Sequence, residues 1–452
     1  MTRRLLVLVL FVDALAVWMA AQPRKVTAPS NHVVIISLDG FAAWAMDDER
    51  LPVPTLRTLA ARGATAKGMR PVNPSVTWPN HTSMVTGVTP AKHGVLFNGM
   101  LIRQTGVAPR IEPWRDKQEM VRVRTLYDAV HEKGGTTAQV DWVAIQNAPT
   151  ITWEFRERAD GKNPVPGELV KKGVLTKQEL DTFGQQNIIW RDHIWTEAAV
   201  HILKTHRPTL LLFHLLNLDS TQHRYGPRSP AAMTAMSHLD TQVERIVDAL
   251  KDADLVARTT VFVLADHGFK LVKRHIRPNV AFQRAGLLKV EGGKVSETQV
   301  YQVPEGGTGM VYVTVPDPGG DVLKRARQAL DGVEGIDKIV EPSDYAKYGL
   351  PNPAENDQMG ALFLTAKDGY AFTGGIGEDV VGDAPPAAAG AHGYVGTEDD
   401  MRALFIAWGR GIKPGAKIDV IENVDVAPTA ARLLGVELKN VDGRVLKEIL
   451  QP

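Results

Sequence analysis

Three stretches of this chain are apolar almost without interruption, and an aspartate follows each of them closely. They are residues 33–38 before Asp39, residues 208–218 before Asp219, and residues 259–265 before Asp266. A short continuous apolar run has no solvent face. It therefore reads as a strand covered on both sides, the habit of a parallel sheet between helices. The intervening sequence has helical spacing at 54–62, 123–133, 194–205 and 230–251. Strands alternating with helices in this way predict an α/β fold with a largely parallel central sheet flanked by helices. In such a sheet, ligands bind beyond the carboxyl ends of the strands. Parallel neighbours would bring the three carboxylates together at that edge.

The remaining sequence sets the bounds. At 452 residues the chain is long enough for one large domain or two to three smaller ones. Arg3 and Arg4, the apolar residues 5–21 interrupted by Asp13, and the small residues before Gln22 read as a secretory signal over 1–21. A polar lead follows at 22–31. The expected location is periplasmic or secreted, with no membrane span in the mature chain; Asp13 and the short run count against an uncleaved anchor. There is no cysteine. That excludes disulfides, thiolate metal sites and a cysteine nucleophile. The net charge of +1 and the lack of a basic, aromatic-interleaved run give no reason to expect a stable nucleic-acid complex. The catalytic core is expected over 32–269 and 390–452. A polar, irregular cap excursion occupies 143–192, and a smaller α+β insertion occupies 270–389. Oligomeric state is not legible.

The chemistry-bearing candidates lie at the ends of these elements. Residues 73–87 pass from loop residues to Thr77 and then to a helix start, with Pro79 suited to its first turn. Thr77 thus falls at or near an N-cap, where free N–H groups and the helix dipole receive phosphate well. Asp219 and His223 are i, i+4, on one face of a helical turn. Asp266 and His267 are adjacent, so both reach a common ion only where Gly268 lets the backbone turn. His392 lies between a Gly/Ala/Pro-rich loop and a returning strand. Taken singly, each has a plainer reading: a cap, a turn aspartate, a surface histidine. Together these oxygen and nitrogen donors favour zinc, with manganese and iron as alternatives. They are too many for one catalytic zinc and suit a pair of metals, an arrangement used for in-line displacement at phosphorus.

The ordered motifs are Asp-Gly at 39–40, Thr-x-Pro-Asn-His at 77–81, Asp-x-x-x-His at 219–223, Asp-His-Gly at 266–268 and His-Gly-Tyr at 392–394. This order resembles the alkaline phosphatase superfamily, and within it the type I phosphodiesterase/nucleotide pyrophosphatase family. The resemblance implies an alkaline-phosphatase-like core and a metal-dependent phosphoric ester hydrolase. It implies two zinc ions, one held by Asp219, His223 and His392, the other by Asp39, Asp266, His267 and Thr77. Thr77 would be the nucleophile, passing through a phosphothreonine. Asn98 would donate to a phosphate oxygen, and Trp78 would be either a stacking surface for a base or buried packing. The implied substrate is a small-molecule phosphate diester or nucleotide. Residues 140–144 offer no Lys or Arg, which favours diesters and pyrophosphates over the more highly charged monoesters. Lys270 and Arg156 are the basic residues that could reach in from outside. A phosphomonoesterase or phosphonate hydrolase of the same fold is the nearest alternative. A non-catalytic exported metal- or ligand-binding protein is the alternative from another class.

Overall fold

The computed structural model describes residues 30–158, 163–377 and 379–452. The expected signal over 1–21 and residues 22–29 of the lead lie outside the described residues.

The strands of the central sheet are β1 (His32–Leu38), β2 (Ala64–Ala66), β3 (Thr137–Val140), β4 (Trp153–Phe155), β5 (Leu210–Leu215), β6 (Thr259–Leu264), β7 (Phe405–Gly409) and β8 (Ala416–Ile418). They lie in the order β8-β2-β7-β6-β1-β5-β3-β4. Every neighbouring pair is parallel except the two that β7 makes, with β2 and with β6. Ser37 on β1 is level with His214 on β5 and with Leu264 on β6. The three strands that precede the aspartates are therefore adjacent and end together. β5 and β6 are buried throughout, and β1 from Val33 onward, as strands covered on both faces must be.

The helices needed here are α1 (Pro54–Arg62), α2 (Thr77–Thr86), α3 (Leu126–Glu132), α4 (Ile188–Thr205), α5 (Asn217–Tyr225), α6 (Pro230–Asp252) and α7 (Val426–Leu434). α6 packs against α1, α4 and α5, while α2, α3 and α7 form a second group, with α7 also against β1. Residues 208–218, read as one strand, divide in two. Buried Asp192 on α4 accepts the Leu216 and Asn217 N–H groups, each at 3.0 Å, and so supplies the cap that starts α5. α4 starts earlier than residue 194 because the Asn187 side chain accepts from the Ile189 N–H at 2.9 Å. The described residues of 143–192 are not irregular throughout. They supply β4 at the sheet edge and the helices Pro164–Lys171 and Lys177–Asp181, and Phe155, Val165, Leu169 and Phe183 join the main core. Polar spacing hid the helix Pro164–Lys171, which buries only Val165, Pro166 and Leu169.

Residues 270–389 include an antiparallel sheet in the order Val300–Glu305, Thr308–Val313, Leu362–Ala366, Ile336–Val340, together with the helix Asp321–Leu330. Its hairpin turn reaches the core. Gly307 N–H donates to the carbonyl of His392 at 2.9 Å, and Gly393 N–H donates to that of Ser75 at 3.0 Å. Gly393 has φ +82°, and a Cβ there would stand 1.6 Å from the Glu305 carbonyl oxygen. Only glycine lets these backbones come so close.

Candidate active site

Asp39 follows β1 directly, Asp266 and His267 follow β6, and Asp219 and His223 lie on α5 just past β5. His392 follows a two-residue strand, Gly390–Ala391. The fold collects these residues into two groups. Candidate ligand atoms of Asp219, His223 and His392 lie within 4.8 Å of one another, and so do those of Asp39, Asp266 and His267. The groups touch: the His267 and His392 rings are stacked with centroids 3.9 Å apart. The Asp39 group is fully buried, whereas His223 is nearly half exposed.

Hydrogen bonding fixes what each group presents. Nδ1 of His223 faces the Gly390 carbonyl at 3.1 Å, Nδ1 of His392 that of Ser75 at 3.2 Å, and Nδ1 of His267 that of Gly268 at 3.2 Å. A carbonyl only accepts, so each Nδ1 carries a hydrogen and each neutral ring turns its Nε2 lone pair inward. The carboxylates are half-tied in the same way. Asp266 Oδ1 accepts from Gly40 N–H at 3.1 Å and His267 N–H at 3.0 Å, and Asp39 Oδ2 lies 3.0 Å from His214 Nε2. Asp39 Oδ1, Asp219 Oδ1, Asp266 Oδ2 and His267 Nε2 are buried without a hydrogen-bond partner among the described residues. Buried orphan acceptors cost several kcal/mol unless a cation meets them, roughly 1–3 each for neutral groups and more for charged ones. Burial, then Asp266 and Asp219, push the Asp39 carboxyl well above its ordinary range. Burial, then His267 and His223, push His392 well below its own. The donor set fits divalent metal of the zinc type.

Thr77 is the first residue of α2. The N-cap is Val76, not Thr77. Thr77, Asn98, Asp219, His223 and His392 line one cavity of about 210 Å³. Asn98 Oδ1 accepts from the Trp78 N–H at 2.9 Å, which turns the carboxamide NH2 away from the helix backbone. Trp78 is 7% exposed and packs with Val95 and Met120, and it also lines the cavity. Gly268 lacks a left-handed φ; it is needed because a Cβ would lie 1.9 Å from the Asp400 carbonyl oxygen. Lys270 is not at the cavity. It pairs with Asp368 at 3.0 Å and Glu398 at 2.5 Å. Arg156 is at the wall, 2.6 Å from Glu154 and 3.1 Å from Asn147.

Sequence reasoning passed over Trp114, Asp141, Trp142 and His214, which also line this cavity. Of these, His214 stands inside an otherwise apolar strand, where a single histidine also reads as a core residue. His81 and His93 stay outside the two groups. His81 is wedged between the Trp142 and His214 rings, and His93 Nδ1 accepts from Val95 N–H while Nε2 faces Ser83. A further Glu168, His201 and His206 group is a closed network. Glu168 Oε2 lies 2.6 and 2.8 Å from the Nε2 atoms of the two rings, and Lys172 Nζ lies 2.6 Å from Nδ1 of His201, away from the cavity that Thr77 lines.

The fold and this edge of the sheet define an α/β protein of alkaline-phosphatase-like architecture, with murine ectonucleotide pyrophosphatase/phosphodiesterase 5 as a structural counterpart. The two superpose with a TM-score of 0.70 at 17% identity, over 93% of this chain and 100% of that one. A second structure of murine member 5, described as an inactive variant in complex with AMP, gives 0.71 at 16% identity, over 93% of this chain and 100% of that one. The chain belongs to the type I phosphodiesterase/nucleotide pyrophosphatase family, whose sequence model matches residues 33–395. Among curated relatives, ectonucleotide pyrophosphatase/phosphodiesterase family member 1 of Rattus norvegicus is 25% identical over 90% of this chain, which spans 41% of that protein. Family member 7 of the same organism is 24% identical over 93% of this chain and 87% of its own length.

Proposed function

We propose that this protein is an exported phosphodiesterase/nucleotide pyrophosphatase that hydrolyses phosphate diesters or pyrophosphates through a phosphothreonine intermediate, with two zinc ions as cofactors. One observation carries the reading. Two touching groups of carboxylate and imidazole donors lie beside a cavity that a helix-start threonine lines. Asp219, His223 and His392 would hold one ion, and Asp39, Asp266, His267 and Thr77 the other. Bound there, the metals would neutralise the carboxylates, acidify the threonine hydroxyl and polarise phosphoryl oxygens.

The chain's own groups then have distinct tasks. The Thr77 hydroxyl attacks phosphorus in line with the leaving oxygen, and water later releases the product. The Asn98 NH2 and the positive dipole end of α2 meet the equatorial oxygens, where charge builds in the transition state. The indoles of Trp78 and Trp114 give the leaving group flat apolar walls. The AMP held by the murine relative supports a nucleotide among the substrates. The basic side chain at the wall, Arg156, already faces Glu154, so little positive charge is left for a doubly charged monoester. Arg156 is also the observation that keeps a phosphomonoesterase as the second reading. The basic, apolar, small-residue sequence of 1–21 supports export, which amino-terminal sequencing of the mature protein would test.

Steady-state kinetics on bis-p-nitrophenyl phosphate and p-nitrophenyl phosphate test the reading. The zinc-loaded protein is expected to have the higher kcat/KM for the diester. Thr77→Ala is expected to lose about a thousandfold or more of it. Full activity in the alanine variant overturns the nucleophile, and a clear monoester preference overturns the substrate class.

A further inference from the structure

His214 projects from the penultimate position of β5, beside the strand that carries Asp39. It is buried, and both of its nitrogens are engaged. Nε2 lies 3.0 Å from Asp39 Oδ2. Nδ1 lies 3.0 Å from the Asp141 carbonyl oxygen and 3.3 Å from Asp141 Oδ2. The carbonyl cannot donate, so Nδ1 carries a hydrogen. On the other side, one hydrogen lies between Nε2 and the carboxyl of Asp39.

Asp141 is bent to make this contact. It follows β3 with φ +55°, an uncommon backbone for a residue with a side chain. In that conformation its carbonyl and its carboxylate both face His214. The next residue, Trp142, donates its N–H to Gln139 Oε1 at 2.9 Å, which holds the turn. The edge-on His81 ring, 4.5 Å away, closes another side of His214. The imidazole therefore has one orientation, and Asp39 Oδ2 is fixed by it. What remains free on Asp39 is Oδ1, which is 3.5 Å from His267 Nε2.

We propose that His214 is a positioning residue: clamped by Asp141, it holds Asp39 so that a single oxygen, Oδ1, faces the cation of the Asp39, Asp266 and His267 group. Outer partners of this kind orient a ligand and sharpen its affinity for metal. The proposal also joins two parts of the site. The loop after β3, which supplies Asp141 and Trp142 to the cavity wall, becomes coupled to the geometry of the buried metal group. It rests on the reading that Asp39 is a metal ligand.

The test is zinc binding by competition with a chromophoric chelator, on the purified full chain, for the wild type, His214→Phe and His214→Gln. The wild type is expected to hold two equivalents. Phenylalanine keeps a ring but donates nothing, and is expected to weaken one equivalent about tenfold to a hundredfold while sparing the other. Glutamine keeps one donor and is expected to fall between. A merely structural role would lower the melting temperature of the metal-free protein without separating the two equivalents. Two equivalents at unchanged affinity in a folded His214→Phe overturn the proposal. Should that variant not fold, unchanged affinities in His214→Gln do so. A wild type that binds no zinc overturns the underlying functional reading instead.

Discussion

Asn98 illustrates how a single side chain can be tested without disturbing the fold. Its carbonyl end is already used, accepting the Trp78 N–H, and its NH2 is the end left for substrate. Asn98→Asp keeps an acceptor for Trp78 and replaces the donor with a negative oxygen. The variant is expected to keep the wild-type melting temperature within a degree or so and to lose about a hundredfold or more in kcat/KM. Unchanged kinetics would remove Asn98 from the reaction. At this scale the sequence was informative wherever a polar residue broke off an apolar run. Asp39, Asp219 and Asp266 were legible as companions because each follows the same kind of apolar run. His214 was not, because a lone histidine inside Leu-Leu-Leu-Phe-His-Leu has the signature of a core residue. Asp141 was not, because its part depends on a left-handed backbone that composition does not encode.

Among elements, α5 depends on a neighbour's carboxylate. Asp192 on α4 caps it, and α5 carries Asp219 and His223. Burial pushes the Asp192 carboxyl up to about 7 although two amides donate to it. An acid whose folded value lies above its unfolded one, 3.8 here, stabilises the fold most when the pH is below the unfolded value. That contribution is lost as the pH rises through the folded value. The slope is on the order of 1.4 kcal/mol per pH unit across the window. Thermal denaturation should therefore find the wild type losing ground to Asp192→Asn between pH 4 and pH 7. Parallel curves for the two proteins would refute it. The cap also explains a boundary that apolar pattern alone misplaced, since Leu216 and Leu218 extend the apolar run past the end of the strand. β4 was hidden for a different reason: three residues at a sheet edge are too few to show a period.

For the molecule as a whole, the sheet edge is where charge is concentrated. Asp39, Asp219 and Asp266 are all buried there, beside the rings of His223, His267 and His392. Divalent cations at this edge would stabilise the folded state by about 2.7 kcal/mol for each ion held at a hundredfold its dissociation constant. Removing metal with a chelator is expected to lower the melting temperature by several degrees, and added zinc to restore it. An unchanged melting temperature would mean that the fold does not depend on the cations. The α/β core could be read from alternating runs, and the α+β character of 270–389 from its mixed spacing. The lacing of that insertion onto the peptide of His392 could not, because it runs through backbone groups of Gly307 and Gly393. It has a consequence for biogenesis. A ribosome makes Asp39 early and His392 late, after the hairpin on which its peptide leans. A nascent fragment halted after His223 and before His392 carries two members of the Asp219 group and lacks the third, so a cation could be held by the full group only after residue 392 has been made.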